Sequence, residues 1–180
     1  MSGLGWRLDH LPTPVGTLAI IADDDGNLCA VGWRQDHERM YAQLAAYDRR
    51  GVALHHEADP CGFTSALRAY FAGELAAIDD LSIVADGTEF QRAVWRGLRA
   101  IPAGTTCSYL ELASHLGNLK VVRAVGLANG ANPIGIVVPC HRVIGADGSL
   151  TGYGGGLVRK RWLLAHERGV AEAQLELALH

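Results

Sequence analysis

Long apolar runs are missing from this 180-residue chain. No stretch approaches the roughly 20 apolar residues that span a bilayer, which excludes a membrane-spanning helix. The opening Met1-Ser2-Gly3-Leu4-Gly5-Trp6-Arg7 lacks a charged segment followed by an apolar one, so no secretory signal is expected and a cytoplasmic location is. Cysteine is scarce: Cys29, Cys61, Cys107 and Cys140 form no Cys-x-x-Cys pair and no cysteine–histidine ladder. That argues against a structural zinc site and, in a reducing cytosol, for free thiols. The eight histidines are scattered, and the adjacent His55-His56 pair does not converge on one metal, so neither metal nor cofactor is expected. Internal repeats and low-complexity tracts are also absent, which excludes a solenoid. With 49% apolar residues the chain is globular and not disordered.

Positive charge is in short supply overall, at a net −3, but it is unevenly spread. Residues 1–87 hold six arginines and no lysine against thirteen acidic residues, a net −7. Residues 88–170 hold ten basic residues against four acidic ones, a net +6, and Glu172 and Glu176 make the tail −2. A basic block of that size is the electrostatic footprint of a polyanion partner, although a solvated helical surface would carry the same charge.

The two halves differ in pattern as well. Thr17 to Ala22 and Leu28 to Trp33 are apolar runs separated by Asp23-Asp24-Asp25-Gly26-Asn27, which reads as a β-hairpin. Glu38 to Tyr47 suits a helix with Met40, Leu44 and Tyr47 on one face. Thr64 to Phe71 suits another, and Leu81 to Val84 a third strand. Asp86-Gly87 is a plausible linker. Beyond it, Thr88-Glu89-Phe90-Gln91 and Ser108-Tyr109-Leu110-Glu111 are capping boxes. They open helices to about Arg99 and to Leu116, the first with Phe90, Val94, Trp95 and Leu98 inward and ended by Ile101-Pro102-Ala103-Gly104. After Gly117-Asn118 comes a helix from Lys120 to about Asn129. Two short helices across a glycine-containing turn make a helix-turn-helix candidate. Ala124, Gly126, Ala128 and Gly130 on the second helix suit either close approach to another surface or tight core packing. The charges of Lys120 and Arg123 favour a phosphate-facing helix. Ile134 to Val138 reads as a buried strand, Asp147-Gly148 as a hairpin-type turn, and Leu157 to Arg168 as a final amphipathic helix. The tail Glu172 to His180 carries no motif. The fold class is α+β: a small N-terminal α/β unit with a short antiparallel sheet over 1–86, then a mainly helical domain over 87–180 containing the helix-turn-helix.

Cys140 stands out chemically. It follows an apolar run and precedes His141, and a thiol gains nucleophilic thiolate character beside a base. The remaining cysteines read as buried and inert.

Pro139-Cys140-His141-Arg142-Val143 resembles the active-site motif of the O6-alkylguanine-DNA alkyltransferases, the methylated-DNA–protein-cysteine methyltransferases. Ser108-Tyr109-Leu110-Glu111-Leu112-Ala113 and Arg123-Ala124-Val125-Gly126 resemble that family's helix-turn-helix. Asn132-Pro133 resembles its asparagine hinge, Tyr153-Gly154-Gly155-Gly156-Leu157 its binding loop, and Lys160-Arg161-Trp162-Leu163-Leu164-Ala165-His166-Glu167 its last helix. The resemblance covers residues 88–168 closely and 1–87 weakly, and is to the bacterial constitutive type.

The resemblance implies a DNA repair protein that moves an alkyl group from O6 of guanine, and O4 of thymine, irreversibly onto Cys140, once per molecule. It implies that His141 is the general base, that Glu167 orients it, that Tyr109 donates to the departing guanine, and that Asn132 ties the helix-turn-helix to the active-site segment. It further implies DNA contacts by Arg123, Ala124, Gly126, Lys120, Ala128 and Tyr109, with Arg123 filling the gap left by a flipped base. Val138, Pro139, Thr151, Tyr153, Gly154 and Gly155 are expected to line the alkyl and guanine pocket. The expected partner is double-stranded DNA carrying alkylated guanine, bound by a monomer without a membrane or obligate protein partner. Two other readings of the residues stand beside it: a damage-binding helix-turn-helix module without catalysis, and a cysteine hydrolase using Cys140, His141 and Glu167.

Overall fold

The structure is a computed structural model and describes residues 5–36, 38–40, 42 and 53–170. The chain divides into two compact units, Met1–Asp86 and Gly87–His180.

The first unit is built on a four-stranded sheet, β1 (Gly5–Thr13), β2 (Gly16–Ala22), β3 (Leu28–Trp33) and β4 (Ala53–His56), in the order β3-β2-β1-β4. The two apolar runs form the expected hairpin, with Leu18 opposite Trp33 and Ile20 opposite Val31. All five residues from Leu18 to Ala22 are buried, so both faces of β2 are covered. Leu8, Ala19, Ile21, Ala30 and Met40 form one apolar cluster, against which Trp6 and Leu54 pack. Helix α1 (Phe63–Phe71) lies against β1 with Leu67 and Tyr70 fully buried.

Two strands escaped the sequence reading. In β1 the buried residues are Gly5, Leu8 and Leu11, a spacing of three that matches neither a two-residue nor a helical period. Its Pro12 is tolerated because β4 pairs only with Gly5 to Leu8, leaving that end of β1 unpaired on one side. The β1–β4 pairing is parallel, so the otherwise antiparallel sheet is mixed. Conversely, Leu81 to Val84 is not a strand: it makes an isolated bridge between Ile83 and Leu28, with the Leu28 amide donating to Ser82 and the Val84 amide to Leu28. The expected helix from Glu38 to Tyr47 falls mostly outside the described residues; Glu38 to Met40 and Ala42 are helical. The tail from Glu172 also lies outside them.

The second unit carries α2 (Glu89–Arg99), β5 (Cys107–Ser108), α3 (Tyr109–His115), α4 (Val122–Gly130), β6 (Val143–Ile144) and α5 (Leu157–Glu167). Both capping boxes form. The Thr88 hydroxyl accepts from the Gln91 amide while the Gln91 side chain accepts from Thr88, and Ser108 and Glu111 do the same. Each box satisfies two backbone donors that a helix start leaves free. Val94, Trp95 and Leu98 are buried and Phe90 is half-buried. The Trp95 indole donates to the Ala128 carbonyl at 2.9 Å, docking α2 on α4. A 3-10 turn over Leu119–Val121 leads from α3 into α4.

Two expectations fail here. Ile134 to Val138 is buried apolar chain, but it forms turns and not a strand. Apart from a bridge at Ile134, the segment turns on itself, with the Val138 amide donating to Ile134 and the Val137 amide to Gly135. Ile136 takes φ 71 within it. A short buried apolar run has no periodicity that distinguishes these outcomes. The Asp147-Gly148 turn exists, with Gly148 at φ 82 and its amide bonded to Gly145, yet it joins no hairpin. Its leading strand β6 pairs in parallel with β5, Cys107 opposite Val143 and Ser108 opposite Ile144.

Candidate active site

The β5–β6 pairing builds the site. It sets the residue after β5, Tyr109, beside the turn that precedes β6, the 3-10 segment Cys140–Arg142. Helix α5 adds Lys160 and Glu167. Cys140, His141, Arg142, Lys160 and Glu167 are all buried, an unusual concentration of ionisable groups out of water.

At its centre is Glu167, whose side chain is fully buried. Its Oε1 lies 2.8 Å from His141 Nε2 and 2.8 Å from Arg142 Nη2, and its Oε2 accepts from Arg142 Nε at 2.9 Å and from the Gly104 amide at 3.3 Å. Arg142 therefore grips the carboxylate with two parallel bonds and donates its remaining Nη1 to the Ile101 carbonyl at 2.6 Å. Burial alone would raise the Glu167 pKa. The bonds from His141 and Arg142 outweigh it and hold the carboxyl far below its ordinary 4.5, so it is ionised. The imidazole of His141 is pushed below 6.5 by burial, against the pull of Glu167, and is neutral at pH 7. A carboxylate only accepts, so Nε2 must carry the proton and donate. The other nitrogen, Nδ1, is then a bare lone pair, buried and without a protein partner.

Cys140 sits on the same turn. Burial pushes its thiol up, while a bond from Asn132 and the positive charge of Lys160 act in the opposite direction. The thiol is thus protonated at rest and needs a base. Asn132 holds the segment ahead of it: its amide donates to Val138 O at 2.7 Å and its Oδ1 accepts from the Ile134 amide at 3.0 Å. The Tyr109 hydroxyl donates to Thr151 O at 3.3 Å. Burial first, then the charge of Cys140, raise the phenol above 10, so it stays a donor.

The remaining sequence-predicted residues divide. Val138 and Pro139 are buried next to Cys140; Tyr153 and Gly155 are half-buried, and Thr151 and Gly154 are exposed. For Thr151 it is the carbonyl, not the side chain, that reaches the site. Arg123 on α4 and Lys120 on the 3-10 turn before it are exposed, and Ala124 is half-buried. A Cβ on Gly126 would stand 4.0 Å from the Tyr109 ring, so this glycine faces the site tyrosine. Ala128 is a correction. It is 3% exposed, on the inward face beneath Trp95, and cannot contact DNA. Small residues on α4 thus serve both readings, packing at Ala128 and accessibility around Arg123. Cys61 is a second correction: it is exposed, not buried. Cys29 is buried, and its pKa is pushed up to about 12 by that burial.

Three residues of the site had no role in the sequence reading. Arg142 was visible only as a letter of a motif, and its partner lies 25 residues away. Lys160 looks like any helix-surface lysine but is 0% exposed. Gly104 looked like a helix stop; at φ 79, a Cβ there would meet the Glu167 carbonyl oxygen at 3.0 Å. Only glycine allows this approach.

Comparison with known proteins finds similarity along both units. Residues 9–84 match the family model described as 6-O-methylguanine DNA methyltransferase, ribonuclease-like domain, and residues 89–169 that family's DNA binding domain. The chain is 49% identical over 160 residues to the methylated-DNA–protein-cysteine methyltransferase of Salmonella typhimurium, covering 88% of this chain and 94% of that one. To the protein of the same name from Mycolicibacterium paratuberculosis it is 60% identical over 116 residues, 64% of this chain and 70% of that one. Its fold is similar to the crystal structure of Mycobacterium tuberculosis OGT in complex with DNA, with a TM-score of 0.77 at 40% identity over 97% of this chain and 99% of that one.

Proposed function

The chain belongs to the 6-O-methylguanine DNA methyltransferase family, and from that premise we propose how its own residues perform the reaction. The protein repairs DNA by moving an alkyl group from the O6 oxygen of guanine onto its own cysteine. Cys140 is that cysteine. The observation that carries this reading is the His141–Glu167 pair. The 2.8 Å bond from Nε2 turns the lone pair of Nδ1 loose inside the site, on the turn that bears Cys140.

His141 Nδ1 takes the thiol proton through one water, and Glu167 stabilises the imidazolium that results. The sulfur attacks the alkyl carbon as the carbon–O6 bond breaks. Tyr109 gives a hydrogen bond or proton to the departing guanine, whose negative charge would otherwise make it a poor leaving group. The products are unmodified guanine and a thioether at Cys140. A thioether has no route of departure, so each molecule acts once.

In a duplex the alkylated atom is hidden in the stack, so the base must be flipped out. Helices α3 and α4 act as the helix-turn-helix. Exposed Arg123 fills the gap, Lys120 meets a phosphate, and Ala124 and Gly126 let the backbone come close. Val138, Pro139, Tyr153, Gly154 and Gly155, with the Thr151 carbonyl, wall the pocket. The protein works as a monomer in the cytoplasm. No helix of the described residues is long and apolar enough to cross a membrane.

Intact-protein mass after incubation with a duplex holding one methylated guanine tests this. One added methyl per chain, on the peptide containing Cys140 and lost in Cys140→Ala while DNA binding persists, is expected. Folded, reduced protein of unchanged mass would instead favour a damage-binding module.

A further inference from the structure

Lys160 is fully buried, 0% exposed, and beyond the pull of its charge on the Cys140 thiol the reaction gives it no step. Its ammonium is not neutralised by the one carboxylate of the site: both oxygens of Glu167 are taken by His141, Arg142 and Gly104. It donates instead to two backbone carbonyls, Val143 O at 2.5 Å and Thr151 O at 3.0 Å. These acceptors lie in different places. Val143 follows directly on the Cys140–Arg142 turn. Thr151 lies eight residues on, past the Gly145–Ser149 turn, which is closed by its own hydrogen bonds. The same Thr151 oxygen also receives the Tyr109 hydroxyl at 3.3 Å.

We propose that Lys160 is a positioning residue that latches the pocket-wall segment to the nucleophile's turn and, through the shared Thr151 carbonyl, sets where the Tyr109 hydroxyl points. A carbonyl on a glycine-rich loop flanked by Gly152, Gly154, Gly155 and Gly156 has many conformations open to it. An ammonium fixed by burial removes that freedom at one point, which is what a donor to a leaving group needs. A neutral apolar residue would fill the space but hold no carbonyl. Arginine's planar fork would not fit two carbonyls served by one nitrogen.

The proposal rests on the alkyl-transfer reading for its effect on rate, but the latch itself can be seen without DNA. Lys160→Met keeps the buried stem filled and removes the donor. Amide exchange over Ser149–Tyr153 is expected to speed up in Lys160→Met while α2 and α4 stay protected. On methylated duplex, single-turnover transfer is expected to fall about 10- to 100-fold, the loss of charge-assisted hydrogen bonds, with DNA affinity unchanged. In a Tyr109→Phe background the same substitution is expected to cost only about twofold, since both act through one carbonyl. Should Lys160→Met not fold, the ammonium protons of the isotopically labelled parent chain are measured directly. Slow exchange, with a signal displaced in Tyr109→Phe, supports the latch, and rapid exchange overturns it. Unchanged exchange in the loop, or full additivity with Tyr109→Phe, overturns it as well. A parent chain that transfers nothing would defeat the functional reading, and the exchange measurement would still decide the latch.

Discussion

Substituting Glu167 by glutamine removes one charge and almost no volume, and its consequences can be worked out from the geometry. The Arg142 side chain is 5% exposed, and its bidentate partner is Glu167. In Glu167→Gln the cation stays buried without its counter-charge, a situation that costs about 3–5 kcal/mol. For a unit the size of Gly87–His180, each kcal/mol moves the melting temperature by about 4–8 °C. Differential scanning calorimetry should therefore show the second unit melting at least about 12 °C lower. Transfer should fall as well, by at least about 100-fold, because the amide neither fixes the His141 tautomer nor stabilises the imidazolium. A second substitution separates the two effects. Adding Arg142→Met takes away the unpaired cation, so melting should recover most of the loss, whereas transfer should not recover. Acid should reproduce the stability effect in the parent chain. The folded pKa of Glu167 lies below its ordinary 4.5, so its contribution is complete above about pH 4.5 and is lost as pH falls further, through the folded value. The Glu167→Gln chain should lack that part of the acid profile. If it melts within about 2 °C of the parent, or transfers at the parent rate, the buried pair neither holds the unit together nor serves the transfer.

Other outcomes follow from single features. Lys120→Ala should weaken binding to undamaged duplex and reduce the salt slope of affinity by about 1, because its ammonium meets a phosphate; an unchanged slope and affinity would remove Lys120 from the interface. Gly104→Ala places a methyl 3.0 Å from the Glu167 carbonyl at φ 79 and should destabilise by about 1–3 kcal/mol in urea denaturation; a neutral result would mean that the turn yields freely. Cys61, the exposed thiol, should be the first labelled by a disulfide reagent on the native protein, well ahead of Cys29, whose pKa burial raises to about 12. Peptide mapping that finds Cys29 or Cys107 first would contradict the burial.

What could be read in the residues is what depends on neighbours a few positions away. The Thr88–Gln91 and Ser108–Glu111 boxes close within four residues, so the starts of α2 and α3 were legible, as was the Leu18–Trp33 hairpin with its acidic turn. The order of Cys140, His141 and Glu167 was legible as a family pattern, together with Tyr109, Asn132 and Arg123. Tertiary structure alone decided the rest, because the determining partners are distant in the chain. Strand β4 exists by pairing with β1 some 48 residues earlier, and Ile134–Val138 is bent into turns by Asn132 and its own amides. Ala128 points inward because Trp95, 33 residues away, docks on its carbonyl. Arg142, Lys160 and Gly104 became parts of the site only when α5 returned to the Cys140 turn. Glu167 could then meet Arg142 and His141 out of water, where a charge is tolerated only beside its partner.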